Sequence, residues 1–368
     1  MIFFDVTKAA SAGHRSGLTR VSSRLLGELG AAAVPVTWPR WNRSVAPSDW
    51  FLTAELFSEA ERPGFREFLL SRPCRCAAVF YDAIPLKHPH ITWPQSVARH
   101  PDYMKLLAGF DRVLAISAAS RSELVSYWQW LGVNVTPPVT LLPLGADADR
   151  APRATRDRRW NGLSPSRLFE SDREKTPTSP PIQRLGDKPF HPKPSLLCLG
   201  ILEPRKNQSF LLDVCAQLWA EGLPFDLHLV GRVNPHFGAP ILAKVKALRK
   251  KWPGLHYHAA ADDAAVSRLF ASATASVCPT IAEGGALPLL ESLWRGVPGV
   301  CSDLPALRES AAAGGVLLLP VGDFAAWKSA LRSVLTDDGL CARLTAEAAA
   351  RPLPTWAETA AEVRSALQ

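Results

Sequence analysis

Two glutamates, Glu283 and Glu291, stand eight residues apart in T-I-A-E-G-G-A-L-P-L-L-E, residues 280–291. The glycines between them expose backbone N–H groups. Pro288 suits the start of a helix, where its missing N–H costs nothing, and Gly296 suits the left-handed position past that helix's end. A glycine loop running into a helix N-terminus is a natural place for an anion. Two carboxylates beside an anion would repel it, so they read as acceptors for hydroxyls on either side, as on a sugar and a ribose. A second stretch, G-I-L-E-P-R-K-N, residues 200–207, sets Arg205 and Lys206 between a strand and a helix. Cations there would hold a diphosphate and stabilise the charge that grows on it as it leaves.

Such loops need a sheet to hold them. Residues 195–199 and 275–279 read as strands just before the two loops, and 225–230, 255–258, 299–302 and 316–319 as further strands. Phe210, Leu211, Val214, Cys215, Leu218 and Trp219 mark one helical face, with Asn207 as its expected N-cap. The first part of the chain repeats the alternation, with strands at 3–6, 33–37, 49–53, 77–81, 112–116 and 139–142. Helices are expected near 18–29, 95–110 and 117–131, the last capped by Ser117. Strands alternating with helices, and glycine loops at strand ends, indicate doubly wound α/β domains. The expected division is a first Rossmann-like domain over 1–148, a basic low-complexity disordered linker over 149–194, a second Rossmann-like domain over 195–352, and a helix in 353–368 that packs back on the first domain.

In the first domain, Asp82 follows the strand 77–81. It reads as a contact for an acceptor hydroxyl or the donor sugar, or as a loop cap. Gly17, in the first strand–helix loop, would let backbone approach the donor phosphate, or simply opens the helix. His14 and His88 read as loop histidines.

Apolar content of 47% and charged content of 21% are those of a globular protein, and no apolar run approaches the length of a membrane span. The start, M-I-F-F-D-V-T, reads as a strand rather than a leader. Seven scattered cysteines give no disulfide framework, so a reducing, cytoplasmic setting is expected. The net charge of +8 does not point to nucleic acid: eleven Lys/Arg against five Asp/Glu fall within residues 150–193 alone, so most of the basic excess sits in one low-complexity segment and not on a folded face.

The Glu-x7-Glu pattern with G-G-A-L-P inside it resembles the E-G-F-G-L-P-x-x-E of the family 4 glycosyltransferases. Other pieces are similar in the same order: S-G-L-T-R-V to T-G-I-x-R-V, Y-D-A-I-P-L to H-D-x-I-P, A-I-S-A-A-S-R-S-E-L to x-x-S-x-x-S-x-x-E-L, and G-I-L-E-P-R-K-N to G-x-x-E-P-R-K-N, with L-P-L-G-A-D and L-V-G-R also matched. The resemblance implies a GT-B fold, two Rossmann-like domains facing a central cleft, with donor in the C-terminal half and acceptor in the N-terminal half. It implies retention of anomeric configuration and no metal or cofactor. By the same resemblance Glu291 would hold the donor ribose and Glu283 the transferred sugar. Gly284, Gly285, Ala286 and Leu287 would cover sugar and diphosphate, Gly231 and Arg232 of L-V-G-R would lie at the donor, and Arg205, Lys206, Glu283 and Asp82 would carry the chemistry. The loop departs from the family in reading E-G-G-A, and Ala286 tolerates left-handed φ less well than glycine. The implied donor is GDP-mannose or a UDP-sugar. The implied acceptor is a glycan or lipid-linked glycan of surface polysaccharide assembly, which would bring the protein to the inner membrane face.

A dehydrogenase would want G-x-G-x-x-G after an early strand, and G-H-R-S-G, residues 13–17, lacks that spacing. A sugar-nucleotide epimerase, or a degenerate transferase that binds nucleotide or a partner without turnover, are the remaining alternatives.

Overall fold

The structure, a computed structural model, describes residues 1–11, 17–39, 45–147, 153 and 193–368. The expected linker, apart from Arg153, Lys193 and Pro194, lies outside the described residues, as does His14.

Two six-stranded sheets account for the described strands. The first contains β1 Ile2–Asp5, β2 Ala33–Val36, β3 Trp50–Thr53, β4 Arg75–Phe80, β5 Arg112–Ala115 and β6 Val139–Leu141. The second contains β7 Ser195–Leu199, β8 Asp226–Val230, β9 Leu255–His258, β10 Ala275–Cys278, β11 Gly299–Ser302 and β12 Val316–Leu319. Strand order is β2-β1-β3-β4-β5-β6 in one and β12-β11-β10-β7-β8-β9 in the other, and the paired strands are parallel throughout. Helices cover both faces of such sheets, which is why β1 and β3 are buried at every position and read as apolar runs, each ending on one buried polar residue, Asp5 and Thr53.

The second sheet reverses its winding between β7 and β10. From β7 the chain moves outward through β8 and β9; from β10 it moves the other way through β11 and β12. The loops after β7 and β10 therefore flank one crevice at the carboxyl ends of neighbouring strands, the position where open α/β sheets bind ligands.

The last helix, Trp356–Ala366, leaves the C-terminal half and packs on the helix Gly17–Leu29. Its start is fixed by a capping box between Thr355 and Glu358 and by Asp147, whose Oδ1 accepts from the Trp356 N–H at 2.7 Å. Gly145 has to be glycine because a Cβ there would run into the Trp356 backbone and ring. The buried cluster around Trp356 runs on through Leu144, Ala286, Leu289 and Leu293, so one core joins the two halves.

One local expectation needs correction, and one helix had no expectation at all. Asn207 precedes its helix but caps nothing with its side chain; it sits in the left-handed region at φ 55°, ending the 3-10 turn Pro204–Lys206. The helix Phe65–Ser71 is seven residues long, too short for its apolar spacing to separate it from a loop.

Candidate active site

The two loops at the winding reversal are tied together by backbone. The carbonyl of Arg205 accepts from the Ile281 N–H at 2.9 Å and from Thr280 Oγ1 at 2.9 Å. That register brings Lys206 Nζ to 2.6 Å from Glu283 Oε2 and Arg205 Nη1 to 3.5 Å from the same oxygen. Arg205 is steadied from behind: it bonds Glu203 at 2.8 Å and donates to the Ala282 carbonyl at 3.1 Å. Asn234 Nδ2 in turn donates to Glu203 at 3.1 Å. Side-chain exposure is 15% for both Lys206 and Glu283, so the pair works in a medium far less screening than water. A small pocket beside it is lined by Leu199, Lys206, Thr280, Glu283, Ala286 and Pro288.

Charge sets the protonation states. Burial alone would raise the Glu283 carboxyl, but Lys206 and Arg205 overcome it and hold it below the usual carboxylate range. Glu283 is therefore an anion at neutral pH. Asp82 differs. Burial pushes its carboxyl up to about 6, with nearby Glu283 and Glu123 adding to the rise and Arg205 opposing it. Behind Asp82, His100 Nε2 lies 3.0 Å from the Asp82 carbonyl. Burial lowers that imidazole to about 4, so it is neutral and donates its Nε2 proton.

The glycine loop is pressed against the N-terminal half. A Cβ on Gly284 would meet the Tyr81 carbonyl and the Asp82 side chain, and one on Gly285 would meet the Ile116 side chain. The Gly284 carbonyl accepts from Ser117 Oγ at 2.8 Å and Ser120 Oγ at 3.2 Å. Ser117 also caps its own helix, Ala118–Trp130, by accepting from the Ser120 N–H. Glu309 reaches the same helix from the C-terminal half and accepts from the Ala118 and Ala119 N–H groups at 2.8 Å each. Ala286 takes the left-handed conformation that the loop demands, φ 48° and ψ 32°, directly before the helix Leu287–Trp294.

Glu291 meets the N-terminal half. It lies buried on the Leu287–Trp294 helix and makes an ion pair with Arg20 of the Gly17–Leu29 helix. Gly17 approaches the same place: a Cβ on it would be 4.0 Å from the Leu287 side chain. Gly231 lies at the β8 end with φ 148°, so close to the Gly200 carbonyl that a side chain has no room. Arg232 is exposed beyond it, its carbonyl accepting from the Leu202 N–H at 2.8 Å. His88 is half-buried at the end of the short helix Ile84–Lys87 that follows Asp82.

Sequence reasoning passes over Arg20, Glu203, Asn234 and Ser120. Three had a signal, Arg20 in S-G-L-T-R-V, Glu203 in G-I-L-E-P-R-K-N and Ser120 in A-I-S-A-A-S-R-S-E-L, whereas Asn234 is an ordinary polar residue until the loops are folded together.

Residues 193–337 match the family model described as Glycosyl transferases group 1. The fold is GT-B. Solved structures of similar fold include Anabaena Alr3699/HepE in complex with UDP and glucose, with a TM-score of 0.69 at 13% identity over 100% of this chain and 98% of that one. Another is sucrose-phosphate synthase from Thermosynechococcus elongatus, with a TM-score of 0.66 at 15% identity over 99% and 97%. Among curated proteins, the chain is similar to the serotype-specific mannosyltransferase WbdA of Escherichia coli, 26% identical over 300 residues, 79% of this chain and 33% of that protein. It is also similar to O-antigen chain mannosyltransferase B of Escherichia coli, 31% identical over 143 residues, 39% of this chain and 37% of that protein. The chain thus spans about a third of the length of these relatives.

Proposed function

We propose that the protein is a retaining, metal-independent hexosyltransferase that moves mannose, or a related hexose, from a nucleotide-diphosphate sugar to a glycan or lipid-linked glycan in surface polysaccharide assembly. The observation that carries this reading is the Arg205–Lys206–Glu283 cluster at the winding reversal of the second sheet. Two fixed cations and the start of the Leu287–Trp294 helix converge there, which suits a diphosphate. The mannosyltransferase relatives support the choice of sugar and pathway, and the group 1 match supports the donor half.

In this reading the bond between the anomeric carbon and the diphosphate oxygen breaks, and the electron pair stays on the diphosphate. Lys206 and Arg205 stabilise that growing charge, the role a divalent metal fills elsewhere. The acceptor hydroxyl attacks from the face the diphosphate leaves, and its proton passes to the departing phosphate oxygen. Glu283 accepts hydrogen bonds from the transferred sugar, Glu291 from the ribose, and Asp82 from a hydroxyl of the acceptor or sugar. Gly284, Gly285, Ala286 and Leu287 line the diphosphate and sugar, with Gly17, Gly231 and Arg232 at the rim of the donor site. Among the described residues no helix is long and apolar enough to cross a membrane, and contact with the inner membrane face would be peripheral.

The test is transfer itself. GDP-mannose and an α-mannoside acceptor, incubated with the protein in EDTA, should give a product whose new linkage NMR reads as α. A β linkage, or transfer abolished by EDTA, would overturn the retaining, metal-free reading.

A further inference from the structure

Trp93 and His236 meet across the two halves. Trp93 stands just before the helix Pro94–Leu107 in the N-terminal half, and His236 in the turn after β8 in the C-terminal half. Their rings stack with centroids 5.1 Å apart and planes 22° from parallel. The contact is not a core one: Trp93 keeps 37% of its surface exposed, and His236 is exposed. Both ring-bearing segments lead back to the candidate site. The chain from Asp82 to Trp93 is one run of short turns off the end of β4. On the other side, Asn234 accepts from the His236 N–H at 2.9 Å through Oδ1 and donates through Nδ2 to Glu203, the partner of Arg205.

We propose that Trp93 is the platform for a pyranose ring of the acceptor glycan, in the slot that the His236 imidazole fills in this structure. The inference rests on the transferase reading above. An indole face is electron-rich and attracts the weakly positive C–H face of a sugar, as it attracts the edge of another ring. A flat ring stacked nearly parallel at this separation marks out a space that a pyranose can take. The second substrate is favoured over the nucleotide because the cations and helix start suited to a diphosphate all belong to the C-terminal half, whereas Trp93 belongs to the half and the loop that carry Asp82.

The test uses the full chain and needs no turnover. Saturation-transfer NMR would titrate α-mannotriose against wild type, Trp93→Ala, Trp93→Phe and His236→Ala, with GDP affinity measured on each protein by calorimetry. The expected result is mannotriose binding weakened about tenfold in Trp93→Ala and less in Trp93→Phe, which keeps an aromatic face. His236→Ala should not weaken it, and GDP affinity should stay within about twofold in all of them. Unchanged mannotriose binding in Trp93→Ala would overturn the inference. So would a loss confined to GDP, which would give the indole to the nucleobase, or an equal loss in His236→Ala, which would make the stack a brace. Wild type that binds GDP but no mannotriose would sink the platform alone; wild type that binds mannotriose but no nucleotide would sink the donor reading instead.

Discussion

Arg20 and Glu291 form an ion pair that joins the first helix of the chain to the helix after the glycine loop, with 37% of the Arg20 side chain exposed and 5% of the Glu291 side chain. The carboxylate proposed for the donor ribose is thus held by a guanidinium from the opposite half. A ribose hydroxyl and Arg20 have to share it.

Glu291→Ala removes an acceptor for the ribose and the ion pair together, whereas Arg20→Ala removes only the ion pair. We expect Glu291→Ala to weaken GDP binding by about 1.5–3 kcal/mol, the range for a hydrogen bond to a charged group. Arg20→Ala should change it by less than about 1 kcal/mol, as for a pair with one solvated partner. Calorimetric titration of both variants checks this; equal losses would mean that Glu291 acts through Arg20.

Lys206 faces a charge that grows during the reaction, so its removal should weigh on the chemical step. Lys206→Ala should lower kcat by about 100-fold and donor KM far less. Lys206→Arg should recover part of kcat. A raised KM at unchanged kcat would assign Lys206 to uniform binding.

Asp82 makes pH a test. With burial pushing its carboxyl up to about 6, kcat/KM should rise with pH through an apparent value near 6 as the carboxylate forms, and Asp82→Asn should abolish that limb. The stability effect runs the other way. Between the ordinary value of 3.8 and about 6 the folded protein keeps a proton at Asp82 that the unfolded chain has lost. This contribution to stability therefore falls as pH rises through that window and is flat above it. Denaturant titrations of wild type and Asp82→Asn across the window should differ in slope with that sign.

Gly284 is where the glycine loop and the N-terminal half touch. A Cβ there would stand 2.8 Å from the Asp82 Cβ and hard against the Tyr81 carbonyl, neither of which can swing aside. Gly284→Ala should fold but set the halves apart, lowering kcat/KM by about 100-fold, as misplacement by an ångström can. Activity equal to wild type would show that the halves need not meet at this point.

How much of this is legible in the sequence follows from what is local. The strands at 195–199 and 275–279 can be read because buried parallel strands are short apolar runs, and Ser117 because a cap acts within three residues. The Lys206–Glu283 pair cannot be derived that way. It depends on β10 lying beside β7, with Ala275 opposite Leu196, and strand order is set by long-range packing that no spacing records. Arg20 looks like a surface residue because its partner lies on a distant helix. Asn207 has the right type for a cap, but the preceding 3-10 turn forces it into a left-handed conformation that takes its side chain out of reach.

The most direct test of the central claim is calorimetric titration of the full chain with GDP and UDP, and with their sugar conjugates, in EDTA, beside Lys206→Ala. The account predicts micromolar binding of one nucleotide in wild type, unaffected by EDTA, with the base identified by which one binds. No binding of any nucleotide diphosphate by the folded protein would contradict it.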